Sequence, residues 1–389
     1  MGGADGLAQK TADGRGQGPA RGGKTRFGVD RCGAHALRIP LNRVTPNGAP
    51  PFRWPTVGYS RSMTRFGYTL MTEQNGPAEL VGYAVAAEER GFDFAVCSDH
   101  FSPWLASQGH APNAWALLGA VAHATRELGL YSFVTCPTMR YHPAIVAQQA
   151  ATVQILAEGR FTLGLGSGEN LNEHIVTGAG WPNAARRQAM LGEAIKIIRE
   201  LLMGETVDHD GDYFQVDQAR LWDLPEIPVA LAVAMSGPKG VDRFAAAADH
   251  LIAVQPDPDL VQSWHAARQA AGLEPGRVIG QVPVCWDPDR EKAIERAHRQ
   301  FRWFGGGWSV NAELPTPAAF AAATRYVQPS DVAGAIACGP DLDAIVDAVG
   351  AYREAGFTDV ALIQIGGETQ EAFLKEAAEP LLAALRDAA

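Results

Sequence analysis

From residue 66 onward the chain alternates short, nearly continuous apolar runs with longer amphipathic segments. The runs at 66–70, 94–98, 131–135, 161–166, 229–234, 251–254, 281–285 and 360–365 are short and flanked by turn residues, and they read as buried strands. Between them, apolar positions recur at helical spacing over 78–90, 114–127, 144–157, 186–203, 241–248, 341–355 and 370–386. Gly91 marks the end of the first of these helices. Strands that alternate with helices over this length imply a parallel sheet with helical crossovers.

An open, doubly wound sheet and a closed barrel both satisfy that pattern. Side chains capable of chemistry fall just after several strand ends: Glu73, the pair Asp99-His100, Cys136 and Glu169. A (β/α)8 TIM barrel collects such residues on one rim. No GxGxxG opens a helix after the first strand, which argues against a dinucleotide-binding sheet. The expected architecture is one barrel over residues 63–389. The Trp-, Phe-, Gly- and Pro-rich stretch 287–327 reads as an insertion over the barrel mouth.

Residues 1–62 are different in kind. They are rich in Gly, Arg and Pro, show no sustained periodicity, and read as a disordered upstream extension, with Met63 as an alternative start. A basic targeting arm is the competing reading. These 62 residues carry 10 Lys/Arg against 3 Asp/Glu, whereas the remainder carries 23 against 40. An acidic body disfavours nucleic acid or an anionic membrane as partner. The five cysteines are scattered without a CxxC pair, so neither a disulfide framework nor a metal site is expected. No apolar run approaches the ~18 residues that span a bilayer. The first residues contain neither an export-type apolar core nor an Arg-Arg pair, and a cytoplasmic protein is expected.

Three segments hold the candidate chemistry. Asp99-His100-Phe101-Ser102-Pro103-Trp104 puts an ionisable pair and an indole after the second strand, which suits proton transfer. A capped loop with Asp99 as helix cap accounts equally well for the dipeptide alone. Gly164-Leu165-Gly166-Ser167-Gly168-Glu169 gives the fourth strand a turn through which backbone N–H groups can approach an anion. Met235-Ser236-Gly237-Pro238-Lys239-Gly240 makes a similar small-residue turn. Each turn is also an ordinary βα connection.

In combination these segments resemble the F420-dependent glucose-6-phosphate dehydrogenase family of the luciferase-like superfamily. The similarity is carried by residues 98–104, Cys136-Pro137-Thr138-Met139-Arg140-Tyr141-His142-Pro143, 166–173, Trp181-Pro182, 210–214 and 236–238, and runs in order from about residue 66 to the end. The resemblance implies a dimeric barrel that passes a hydride between a small alcohol or carbonyl and C5 of a deazaflavin, coenzyme F420. It implies that His100 is the base for the substrate hydroxyl and that Glu169 is the acid that protonates the reduced cofactor. Trp104 and Glu73 would line the pocket. Asp99, Phe133, Val134, Cys136, Ser167, Gly168, Asn172, Ser236, Gly237, Lys239 and Gly240 would contact the cofactor, with a cis peptide at Phe133-Val134. The sugar-phosphate enzymes place a phosphate-binding Lys after the strand equivalent to 251–254. Here the stretch reads Val254-Gln255-Pro256-Asp257-Pro258, so an unphosphorylated alcohol or its carbonyl is expected instead. An FMN-dependent monooxygenase of the same superfamily is the alternative. A non-catalytic cofactor-binding member is a third reading, and it predicts a missing base or acid.

Overall fold

The computed structural model describes residues 64–388, so the expected extension 1–62 lies outside the described residues. The strands in chain order are β1 (Arg65–Leu70), β2 (Phe94–Cys97), β3 (Gly129–Ser132), β4 (Phe161–Leu165), β5 (Val207–Asp210), β6 (Gln215–Ala219), β7 (Ala230–Ala234), β8 (His250–Ile252), β9 (Val278–Cys285), β10 (Ala337–Cys338) and β11 (Asp359–Gln364). All eight expected strands are present. They pair in parallel in the order β9-β11-β1-β2-β3-β4-β7-β8. β8 then pairs back onto β9 through Leu251↔Val278 and Ile252↔Ile279, and the sheet closes. The open-sheet alternative is excluded.

Helices follow the strands: α1 (Pro77–Glu89), α2 (Ala114–Ala124), α3 (Pro143–Leu156), α4 (Asn170–Thr177), α5 (Ala184–Leu202), α6 (Pro238–Phe244), α7 (Pro258–Ala270) and α8 (Arg290–Phe301). α9 (Trp308–Asn311), α10 (Pro317–Ala323), α11 (Pro329–Ala335) and α12 (Leu342–Glu354) come next. Beyond β11 lie α13 (Gln370–Ala372), a π-helical turn (Phe373–Ala377) and α14 (Ala378–Asp387). None of the described helices is long and apolar enough to cross a membrane.

Several boundaries differ from expectation. β3 ends at Ser132; a cis peptide joins Phe133 to Val134, and Thr135 rejoins the sheet by a single bridge to Leu165. The helix expected at 241–248 begins at Pro238, because proline at the first helical position costs no hydrogen bond. Lys239 and Gly240 therefore sit inside α6 and not in the turn before it. The helix expected at 114–127 stops at Ala124, and the Glu88 carboxylate accepts the backbone N–H groups of residues 126–128. The β5-β6 hairpin, α4, α7 and α8 were not expected.

The barrel interior is filled by Phe94, Val96, Tyr131, Ala232, Ile252, Ile279 and Ala361. Gly67 makes this packing possible: a Cβ there would stand 2.3 Å from the Phe94 ring. A much larger apolar cluster lies between the strands and the outer helices. The N-terminal end of the barrel is closed by charge. Asp359, fully buried at the start of β11, accepts from Arg65 Nε (2.7 Å), Arg277 Nη1 (3.1 Å) and Thr358 Oγ1 (2.6 Å). Burial alone would raise its pKa, but the two guanidiniums more than offset that and hold the carboxyl below its usual range. The residues expected to do chemistry stand at the opposite, C-terminal rim.

Asp359→Ala is expected to cost about 3 kcal/mol, because both cations lose their partner; each is partly exposed, which limits the loss. The lowered pKa means that the wild-type advantage exists above the unfolded carboxyl pKa and disappears as pH falls through the folded value. Denaturant unfolding of both proteins at neutral and acidic pH checks this. A deficit under 1 kcal/mol at neutral pH would contradict the account.

Candidate active site

At the rim, His100 is held between two carboxylates. Glu73, in the loop after β1, is fully buried. Its Oε1 accepts from Thr72 Oγ1 (3.2 Å) and pairs with His100 Nδ1. Its Oε2 is buried without a hydrogen-bond partner. On the other side of the ring, His100 Nε2 lies 3.3 Å from Glu169 Oε1. Burial pulls the imidazole pKa down, but Glu73 and then Glu169 outweigh that effect, and the net shift is upward. His100 is therefore more readily protonated than a free histidine.

Glu169 precedes α4, so its carboxylate enters the site from the β4 side. Oε1 accepts from Asn172 Nδ2 at 2.5 Å and Oε2 from the Trp104 indole N–H at 3.4 Å. Asn172 Oδ1 in turn accepts the backbone N–H groups of Phe101 (2.8 Å) and Ser102 (3.0 Å), clamping the β2 loop to α4. The Trp104 ring meets His100 edge-on at 4.6 Å between centroids. Its other neighbour is Trp303, stacked at 4.0 Å and 23°. Trp303 packs on Phe301, Phe304 and Phe320, so the 287–327 insertion supplies an aromatic wall to the mouth.

Asp99 is not a helix cap. It is buried, and it accepts from Thr135 Oγ1 (2.7 Å), Arg140 Nη1 (3.1 Å) and the Tyr141 hydroxyl (3.2 Å). Cys136 is buried nearby; burial, reinforced by Glu173, holds its thiol pKa well above the usual value. Phe133 and Val134 flank the cis peptide, and a Cβ on Gly166 would lie 2.5 Å from Val134 Cγ2. Ser167 is half-buried, and Gly168 turns the chain at φ +92°, where a side chain would be strained.

The structure thus joins Glu73, Asp99, His100, Trp104, Glu169 and Asn172 into one cluster, with Cys136, Ser167 and Gly168 on the neighbouring loops. Ser236, Gly237, Lys239 and Gly240 stand one strand further round, after β7. Ser236 and Lys239 are exposed, while Gly240 is buried against Met235.

Asp257, expected to repel a substrate phosphate, caps α7 instead: its Oδ1 accepts from the N–H groups of Asp259 (3.0 Å) and Leu260 (3.2 Å). The sequence reading missed Arg140, Tyr141 and Glu173 as partners, although all three lie in segments that carried the family resemblance. It also missed Trp303, signalled only by the aromatic richness of the insertion.

A family model described as luciferase-like monooxygenase matches residues 61–359. The F420-dependent glucose-6-phosphate dehydrogenase of Amycolatopsis mediterranei is 36% identical over 338 residues, 83% of this chain and 99% of that protein. The enzyme of the same name from Beutenbergia cavernae is 35% identical and is covered to 98%. Among solved structures, an F420-dependent secondary alcohol dehydrogenase in complex with an F420-acetone adduct superposes with a TM-score of 0.76. It is 30% identical, and the match covers 84% of this chain and 100% of that one.

Glu73→Gln removes the carboxylate that faces His100 most strongly, so the imidazole should titrate at lower pH than in the wild type. An NMR titration of the ring resonances reads this directly. A midpoint that stays in place or rises would show that Glu73 does not set the charge of His100.

Proposed function

Within the luciferase-like family this chain belongs to the F420-dependent glucose-6-phosphate dehydrogenase-like group, and from that premise we propose that it interconverts an alcohol and its carbonyl, with His100 and Glu169 as proton carriers. The observation that carries this reading is the single imidazole set between a buried carboxylate on Nδ1 and a second buried carboxylate, Glu169, 3.3 Å from Nε2.

The chain is an F420-dependent oxidoreductase, and its rim suits that cofactor. Glycine at 166 lets the chain pass against Val134 beside the cis peptide, and glycine at 168 allows the turn at φ +92° that follows β4. Glu73 Oε2 and Thr138 Oγ1 are buried polar atoms without partners. In this reading Asp99, Phe133, Val134, Cys136, Ser167, Gly168 and Asn172 hold the ring end, and Ser236, Gly237, Lys239 and Gly240 hold the remainder. When bound, F420 supplies the hydride acceptor or donor at its C5.

The protein's own part is proton management. Nδ1 of His100 is committed to Glu73, which leaves Nε2 to accept the substrate hydroxyl proton. Loss of that proton makes the adjacent C–H a better hydride donor. Glu169, oriented by Asn172 and the Trp104 indole and 3.3 Å from Nε2, is the second group placed to take up or give a proton at the site. Because His100 is biased toward its protonated form, alcohol oxidation should accelerate as pH rises through its titration. Carbonyl reduction should slow over the same range.

For the substrate, the reading is an unphosphorylated alcohol or carbonyl. The stacked Trp104–Trp303 wall offers an apolar surface to a carbon skeleton. The stretch 254–259 after β8 carries no Lys or Arg to receive a phosphate. An FMN-dependent monooxygenase requires no such imidazole–carboxylate pair, which favours the dehydrogenase.

His100→Ala and Glu169→Gln should each lower turnover by roughly 10²–10⁴-fold while leaving F420 affinity nearly intact. Wild-type turnover in both variants would remove the mechanism. Paired kinetics on phosphorylated and unphosphorylated forms of one sugar test the substrate class. A higher kcat/KM for the phosphorylated form would assign the enzyme to sugar phosphates.

A further inference from the structure

Arg140 touches neither His100 nor Glu169, yet it lies between the loops that carry them. It belongs to the loop after β3, the strand flanked by β2 and β4 in the sheet. Its Nη2 donates to the backbone carbonyl of Asp99 (2.6 Å), the peptide oxygen immediately before His100, and Nη1 donates to the Asp99 carboxylate (3.1 Å). Its own backbone N–H donates to Glu173 Oε2 (2.8 Å), and its Nε lies 3.6 Å from Glu173 Oε1. Glu173 is fully buried in the first turn of α4, and its N–H bonds back to the carbonyl of Glu169 (3.2 Å). The Tyr141 ring covers the guanidinium at 4.6 Å, and its hydroxyl reaches the same Asp99 oxygen.

We propose that Arg140 is a positioning residue that fixes His100 and Glu169 relative to each other, by tying the Asp99 peptide and the first turn of α4 to the loop after β3. A guanidinium suits this role because its planar fork addresses a carbonyl and a carboxylate together, which an ammonium cannot do. The cation also has an electrostatic effect. His100 faces Glu73 from the β1 loop, Glu169 from the β4 side and Arg140 from the β3 loop, while the Asp99 carboxylate beside it is taken up by Thr135, Arg140 and Tyr141; Arg140 is the group that opposes a second positive charge. Burial drives the Glu173 carboxyl up to about 7 despite the guanidinium, so losing Arg140 leaves that carboxyl more readily protonated and the Asp99 peptide unheld.

The inference rests on the proton-carrier reading above, and two variants separate the failure of one from the failure of the other. Arg140→Lys keeps the charge but not the fork; Arg140→Met loses both. Both should lower kcat for alcohol oxidation by roughly 10–100-fold, the scale of a displacement near 1 Å in the reacting groups. In Arg140→Met the acidic limb of the pH profile should also move to higher pH, whereas in Arg140→Lys it should stay near the wild-type position. The same contrast should appear in an NMR titration of His100 in cofactor-free protein, with the resonance assigned by comparison with His100→Ala. That measurement needs no substrate. If Arg140→Met does not fold, Arg140→Lys decides: near-wild-type kcat overturns the proposal. A fully active wild type whose kcat and His100 titration are unmoved in either variant also overturns it. A wild type inactive on every alcohol and carbonyl, with the His100 titration still shifted in Arg140→Met, sinks the functional reading and leaves the coupling of Arg140 to His100 intact.

Discussion

Closure of the parallel sheet between β8 and β9 is the constraint from which the site follows. In a closed parallel barrel every strand delivers its C-terminal end to one rim, so residues far apart in sequence meet without any local motif to bring them together. Glu73, His100 and Glu169 follow β1, β2 and β4 and converge on one imidazole. The opposite end gains the complementary feature: Arg65, Arg277 and the buried Asp359 fill it with paired charge. The barrel interior between is side chain, not channel, with Phe94 over Gly67 at its centre.

The rim concentrates acid. Glu73, Asp99, Glu169 and Glu173 are all buried there, and charge burial is costly unless each group has a partner. The partners are His100 for Glu73 and Glu169, and Arg140 for Asp99 and Glu173. One consequence is a histidine biased toward protonation; another is a site whose stability and proton inventory are coupled. Such an arrangement is poorly suited to being a mere stabiliser, since hydrophobic residues of similar volume would pack there at lower cost. The aromatic wall of Trp104 and Trp303 completes it by excluding water from one side of the imidazole.

The barrel was legible because each of its strands contains a short, nearly continuous apolar run, as buried parallel strands do. What escaped the sequence reading is polar. α8 (Arg290–Phe301) is strongly charged, and its buried Arg296 is satisfied by Asp287, by the Cys285 sulfur and by Glu368, 72 residues away. The β5-β6 hairpin carries Asp and Gln on exposed strands and so lacks the apolar signature. α4 (Asn170–Thr177) opens on polar residues and so lacks the apolar spacing that marks the other helices. In the site, family resemblance named the residues that meet at His100, but the partnership of Arg140 with Asp99 spans 41 positions and has no local trace. Asp257 shows the opposite error: a charge assigned to substrate recognition from its place in the sequence is occupied by two backbone N–H groups of α7. Sequence spacing gives the loop on which a residue sits, while hydrogen bonding decides what its side chain does.

The central claim is that this rim transfers a hydride between a carbinol carbon and the deazaflavin. The most direct measurement is isotopic: oxidised F420 and the wild-type enzyme are mixed with a panel of unphosphorylated alcohols deuterated at the carbinol carbon, and the reduced cofactor is analysed by mass spectrometry and NMR. The account predicts that at least one alcohol bleaches the cofactor and delivers its deuterium to C5. Absence of deuterium from reduced F420 across the panel, together with oxygen-dependent turnover on reduced FMN, would contradict it.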